Sequence, residues 1–392
     1  MSDVVVIGLG PAGLSAALKL VESGRSVLLA AKGEGGFQLS QGTVDVLGYS
    51  PGRVANPLAA IGELPTGHPY ASIGAERVQD AVAWLRDTLG DELLVGDPAQ
   101  NYVLPTAVGA MRPTALAQPS MVAAHQASSY AVVGVRQLKD FPAELLAGNL
   151  GCRAAWIDLP ARREVDSSGH MFARAIEDPA YAKRFAAAVA AAAPDGAVLL
   201  LPAILGVKPG TWRRVADQVG RPIAEVPMQP PSVPGIRLHD ALLAKFKAAG
   251  GRVIIGSRVV GCKTNGGRVA SVTLAVAGGT RDLRATDFVF APGGFASGAI
   301  TVDSRGKISE PLFGLPLTQT DANTLIGPDY WAPHPLFEVG VETDAAGRAK
   351  YENLYLAGDI IAGAERWREK SGEGIAVATA VRAAESIMGG RA

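Results

Sequence analysis

The sequence is short of cysteine. Only Cys152 and Cys262 occur in 392 residues, and their separation excludes a disulfide framework and a cysteine-ligated metal cluster, as suits a reducing compartment. Histidine is scarce as well. His68, His125, His170, His239 and His334 stand singly, so a redox metal would have to sit on another chain. Neither sign of charge prevails, with 37 basic and 37 acidic residues; no overall field draws the chain to nucleic acid or to anionic lipid, and nucleic acid is not an expected partner. A long uninterrupted hydrophobic run is also missing. The most apolar stretch, FAAAVAAAAPDGAVLLLPAILGV from Phe185 to Val207, is cut by Pro194, Asp195 and Gly196 into pieces too short to span a bilayer. The opening MSDVVVIG lacks the basic segment of a signal peptide, which predicts a cytoplasmic chain with no transmembrane segment.

What is present is apolar content, 48% of residues with a positive mean hydropathy, enough for a large core and for two domains. Residues 3 to 32 read as strand, helix, strand: VVVI is a buried strand, Leu14, Ala17, Leu18 and Val21 recur at helical spacing, and SVLLA follows Gly24. A second such unit begins at Gly235, with Leu238, Leu242 and Phe246 on one helix face, then RVIIGSRVV, a turn at Asn265-Gly266, SVTLAV and DFVFAPGG. A third, NLYLAGD with GIAVATAVRAAESIM, closes the sequence. These pieces predict an α/β, Rossmann-like flavin-binding domain of the two-nucleotide-domain flavoprotein type with an inserted second domain. The expected division is 1–78 with 232–300 and 346–392 for the first domain and 79–231 for an inserted α/β domain, leaving 301–345 as a loop-rich segment.

GLGPAG carries the phosphate-binding logic. Gly8 permits a tight turn, Gly10 lets a phosphate approach the backbone, and Gly13 lets helix and strand pack closely, while the helix N-terminus offers unpaired N–H groups. In AGDIIAGA, Gly358 brings backbone near a ligand and the Asp359 carboxylate can accept hydrogen bonds from ribityl hydroxyls. Gly372 and Gly374 open a helix whose N-terminus could face the pyrimidine edge of a flavin, where charge builds on reduction. Gly293 and Gly294 of FAPGGF form a strand-end pair suited to close approach, and Ser40 and Gly42 of QLSQGTVDVLG could contact the ring or its phosphate. Arg237, at the head of a helix after PPSVPG, is a candidate for a substrate phosphate or carboxylate, with pairing to Asp240 as its alternative. His68 of GHPYASIG is a candidate general base or substrate ligand. One expected residue is missing. Strand two ends at Ala31, where a carboxylate would accept hydrogen bonds from an adenosine ribose, and the next residue, Lys32, suits a terminal phosphate. That predicts FMN, with FAD as the alternative.

Taken together, GLGPAG, FQLSQGTVDVLG, GHPYASIG, PPSVPGIRL, FAPGGF and SEPLFGLPL resemble the family of B subunits of anaerobic glycerol-3-phosphate dehydrogenases over nearly the whole chain. The resemblance implies an FMN-using flavoprotein that works with a flavin-containing catalytic A subunit and an iron–sulfur, membrane-associated C subunit at the cytoplasmic membrane surface. Such a complex oxidises sn-glycerol 3-phosphate, a polyol phosphate, to dihydroxyacetone phosphate and passes electrons to quinone. The likeness thins at AERWREKSGEG, where this chain is charged and the family is glycine-rich. Two alternatives remain from the residues alone: a stand-alone flavin-dependent dehydrogenase of a small acid, and a cofactor-free structural partner.

Overall fold

The structure, a computed structural model, describes residues 2–329 and 331–389. The chain opens with β1 (Ser2–Ile7), α1 (Pro11–Glu22) and β2 (Val27–Ala31). It continues through α2 (Pro69–Ile73) and α3 (Ala75–Leu89), then enters a second sheet of β3 (Tyr130–Val135), β4 (Arg153–Ile157), β5 (Val198–Pro202) and β6 (Ile223–Val226). It returns through α4 (Val233–Ala248), β7 (Arg252–Ile255), β8 (Val259–Asn265), β9 (Arg268–Val276), β10 (Gly279–Phe290), β11 (Leu354–Leu356) and α5 (Gly372–Gly389).

The three separated pieces of sequence meet in one 7-stranded sheet of order β7-β2-β1-β10-β9-β8, with β11 on the free side of β10. β1 lies parallel to both neighbours, Val4 opposite Val27 and Ile7 opposite Phe290. β10 has two halves. Its first residues are exposed and pair antiparallel with β9, whereas DFVF runs parallel between β1 and β11. The VVVI run of β1 has no exposed side because both faces of the sheet are covered. Alternation along the strand sends Val4 and Val6 into a core beneath α1, α3, α4 and α5, and Val5 and Ile7 into a core on the opposite face. Each such side chain, fully buried, contributes about 1.5–3 kcal/mol.

Two expectations change here. α3, expected within the insertion, sends Val78, Val82, Leu85 and Leu89 into the first core beside α5. The chain therefore leaves for the second core only after this helix, first at Leu104 and, after returning to the first core at Ala115 and Leu116, again from Ala117. The loop-rich 301–345 segment packs Ile308, Phe313, Leu315 and Val341 under Phe288 and Phe290, on the second face of the main sheet. Its fold is held by Glu310, whose buried carboxylate accepts hydrogen bonds from the backbone N–H groups of Leu312, Phe313 and Leu315. The second sheet, β4-β3-β5-β6, is wholly parallel with its own core. Among the described residues no helix is long and apolar enough to cross a membrane, and no group of three His, Cys, Asp or Glu side chains is placed to hold a metal.

Candidate functional site

The C-terminal ends of β1, β2, β10 and β11 converge, and ligands of open α/β sheets bind outside such ends. Glycine makes the convergence possible. Gly8 sits at φ 113°, and a Cβ there would lie 2.0 Å from the Ala291 carbonyl oxygen. A Cβ on Gly13 would lie 1.9 Å from the Gly8 carbonyl oxygen. These two positions lock α1 and β10 against the turn. Gly10 differs: it has an extended backbone without a side-chain cap, and a Cβ there would meet nothing closer than the Gly36 nitrogen at 3.6 Å. The space beside Gly10 and the uncapped first turn of α1 open instead into a cleft of about 440 Å³.

Gly8, Gly10, Lys32, Gly293, Gly294, Gly358, Asp359 and Gly372 all line this cleft. The Gly358 N–H donates to Thr379 Oγ1 at 2.9 Å, which ties the turn after β11 to α5. The Asp359 side chain is 54% exposed, with Oδ1 3.3 Å from Arg366 Nε. Residues for which the sequence supplied no prediction also line the cleft, among them Gly35, Gly36, Ser297 and Glu373. A second cleft of about 420 Å³ shares Gly8, Ala31, Lys32, Pro292 and Ser297 with the first and extends to Arg258, Val259 and Glu310. The two form one groove with Lys32 at its waist. Neither Lys32 nor Arg258 has an ion-pair partner among the described residues, and of the two nearby carboxylates Glu310 is buried and engaged while Glu34 is half-exposed. Glu34 faces His239 at 3.2 Å, and Glu310 is held by backbone N–H groups.

Several predicted site residues lie elsewhere. Ser40 Oγ donates to the Phe37 carbonyl and accepts from the Gly42 N–H, closing its own loop; a Cβ on Gly42 would collide with Pro234 at 2.2 Å. Gly13 and Gly374 serve close packing, the latter beneath the Tyr70 hydroxyl, and its N–H donates to the Asp45 carbonyl. Arg237 is not free for substrate. It is 4% exposed, and its guanidinium pairs with Glu225 at 2.6 Å while donating to the carbonyl of Gly206 and to Gln118 Oε1. That arrangement staples α4 to the second sheet, and the partner is Glu225 rather than Asp240. His68 caps α2 by accepting from the Tyr70 N–H on Nδ1, and its Nε2 lies 3.1 Å from Glu369. It borders a separate cavity beside Ser72, Glu338 and Thr343, not the glycine cleft.

The electrostatics are strongest where α5 begins. Asp45, buried in the segment after β2, is ion-paired with Arg112, which also donates to Gln41 and Thr43. Burial and then the Asp45 charge push the Glu373 carboxyl up from 4.5 to about 7, against the opposing pull of Arg112. Burial would raise Glu369 too, but its hydrogen bond to His68 and the charge there hold it below the usual carboxylate range. Burial and the neighbouring Arg112 lower the Lys370 ammonium. The residues suit a flavin phosphate: a side-chain-free cradle at Gly10, uncapped N–H groups on α1 and the cation of Lys32. They suit its other end equally, with the Asp359 carboxylate for polyol hydroxyls and the N-terminus of α5 for a developing negative charge.

Residues 3–375 match the FAD binding domain family. A probable B subunit of an anaerobic glycerol-3-phosphate dehydrogenase from Halobacterium salinarum is 32% identical over 412 residues, 96% of each chain. The anaerobic glycerol-3-phosphate dehydrogenase B subunit of Aliivibrio fischeri is 30% identical over 98% of this chain and 95% of its own, and that of Yersinia pestis is 29% identical over 98% of both. Among solved structures, the Mycobacterium smegmatis Sdh1 complex in the apo form aligns with 98% of this chain and 68% of its own at 12% identity and a TM-score of 0.42. With a glycine cradle at the strand ends, a family match across the chain and relatives aligned nearly end to end, the chain belongs to the FAD binding domain family and, within it, to the B subunits of anaerobic glycerol-3-phosphate dehydrogenases.

Proposed function

We propose that this chain is the flavin-carrying member of a complex that oxidises sn-glycerol 3-phosphate to dihydroxyacetone phosphate, either performing that oxidation or relaying its electrons. The observation that carries the reading is the groove along Gly8, Gly10, Gly358, Asp359 and Gly372, in a chain aligned end to end with proteins bearing that name. When bound, a flavin accepts the electron pair of an alcohol oxidation and can pass it on in single steps. Gly10 and the first turn of α1 would hold its phosphate, Asp359 would orient its ribityl chain, and the first turn of α5 would face its pyrimidine edge. Further members of the complex are a flavin-containing catalytic partner and an iron–sulfur partner that attaches it to the cytoplasmic face of the membrane and delivers electrons to quinone.

FMN is the proposed cofactor. The waist of the groove offers the cations of Lys32 and Arg258, strand two ends in Ala31 rather than a carboxylate, and Glu310 is held by backbone N–H groups. FAD is the second reading, favoured by the room beyond Lys32 and by the description of the matching family. The test is reduction of the loaded protein. In the presence of both partners, sn-glycerol 3-phosphate is expected to bleach the flavin absorbance. Bleaching by a small hydroxy acid, with no response to sn-glycerol 3-phosphate, would replace the proposed substrate.

A further inference from the structure

Glu373 lies at the second position of α5 and lines the glycine cleft together with Gly372 and Ala376. Among the described residues it forms no ion pair and no hydrogen bond with another side chain. Its surroundings are charged on every side. Asp45 reaches it from the segment after β2, paired with Arg112 of the strand Met111–Thr114. Asp359 comes from the turn after β11 and is held by Arg366, while Lys370 precedes α5 and the buried Tyr70 hydroxyl approaches from α2. The carboxyl is half-buried, and the Asp45 charge acts on it more strongly than the opposing charge of Arg112. Both effects bring its titration up to about 7, so that from neutral pH upward a carboxylate stands ready to take up a proton.

A carboxyl poised in this way and a flavin's pyrimidine edge would share one cleft and one helix N-terminus. Reduction adds negative charge to that edge, and at short range each negative charge raises the proton affinity of the other. We propose that Glu373 is the proton acceptor of the cofactor cleft, gaining a proton when the bound flavin is reduced and releasing it when the flavin is reoxidised. The proposal rests on the flavin reading of the cleft. Its balance is that of an alcohol oxidation: a secondary alcohol becoming a ketone releases two electrons and two protons. Both electrons and one proton go to the flavin, and the second proton converts the Glu373 carboxylate to the carboxylic acid; reoxidation returns all of them. Glu373 would thus be a positioning residue for charge, drawing the reduced cofactor's excess negative charge into a neutral site.

The test is the pH dependence of the midpoint potential of the flavin-loaded protein, measured by dye equilibration between about pH 5.5 and 8.5 in the wild type and in Glu373→Gln. Around neutral pH the wild type is expected to bind one proton more per two electrons than the variant. That is a tenfold change in the reduction equilibrium per pH unit, or about 30 mV. Equal slopes in two fully loaded proteins would overturn the proposal alone. If the Gln variant does not fold, Asp45→Asn provides a second reading: removing the negative neighbour should move the proton-coupled window of the wild type to lower pH, and an unmoved window overturns the proposal. Infrared difference spectra should show a protonated carboxyl band that appears on reduction and is missing in Glu373→Gln; a band shared by both proteins counts against it. A folded chain that takes up no flavin overturns the reading of the cleft, and this proposal with it.

Discussion

Gly10 and Gly13 stand three residues apart in one motif, yet the structure gives them different tasks, and substitution by alanine separates them. At Gly10 a Cβ has 3.6 Å to its nearest neighbour and the backbone is extended, so the fold tolerates the methyl group and the loss in stability should stay below about 1 kcal/mol. The methyl group instead projects into the space a phosphate would use. Loss of that approach should weaken flavin binding at least about tenfold, or 1.4 kcal/mol. At Gly13 the same methyl group would stand 1.9 Å from the Gly8 carbonyl oxygen and 2.8 Å from its carbon. Both are backbone atoms of the turn, so helix and strand must separate, at a cost of about 1–3 kcal/mol or more. Urea unfolding of the flavin-free proteins and fluorescence titration with flavin measure the two effects independently. The reasoning fails if Gly10→Ala binds flavin as the wild type does, or if Gly13→Ala unfolds at the wild-type midpoint.

The Arg237–Glu225 staple gives a second prediction: Glu225→Leu strands a buried guanidinium and should cost about 3–5 kcal/mol, whereas adding Arg237→Met should recover part of that loss; a double-variant loss equal to the sum of the two single-variant losses would show that the pair is not coupled. Glu373 predicts a pH effect of definite sign. Its carboxyl titrates at about 7 in the fold against 4.5 ordinarily, so the native state binds more protons than the unfolded chain between those values, and stability falls as pH rises through that window and levels above it. At 1.36 kcal/mol per pKa unit the ceiling is about 3 kcal/mol, reduced by partial exposure and by coupling to Asp45; Glu373→Gln should be the more stable protein at pH 8, and calorimetric Tm values that fall identically in both would refute this. Asp359→Ala should weaken flavin binding about tenfold while lowering apo-protein stability by no more than about 1 kcal/mol, because Asp359 is half-exposed and Arg366 keeps its hydrogen bonds to the Ile361 and Ala364 carbonyls; unchanged affinity would remove Asp359 from the ribityl site.

The parts of this fold legible in the sequence are those set by neighbours along the chain. The strand VVVI, the glycines of GLGPAG and the helical spacing of Leu14, Leu18 and Val21 determine their own local geometry, and they sit where their periodicity places them. Tertiary partners are another matter. The apolar stripe of α3 shows that the helix is buried on one side but not which of two cores receives it. Arg237 looks like an anion ligand at a helix start until Glu225, on β6, is seen to satisfy it. The charged run at 365–370 marks in the sequence only a departure from the family's glycine-rich pattern, whereas in the fold Arg366 faces Asp359, Arg368 faces Glu365 and Glu369 faces His68. Glu373 stood in view within SGEGIAVATA. Its chemistry depends on Asp45, brought beside it by the Gly374 N–H that donates to the Asp45 carbonyl, and no local pattern encodes that approach. Ala31 is informative as an absence, and the structure adds that Glu310, at the groove's waist, is held by backbone N–H groups and does not stand in for the missing carboxylate.

Acid release and chromatography of whatever the purified full-length chain binds tests the central claim most directly. Stoichiometric flavin, recovered as FMN, is the expected result, while FAD would replace the terminal phosphate at Lys32 by a pyrophosphate whose adenosine extends into the groove beyond it. A folded, colourless chain that takes up neither flavin when supplied would contradict the assignment of the glycine groove as a flavin site.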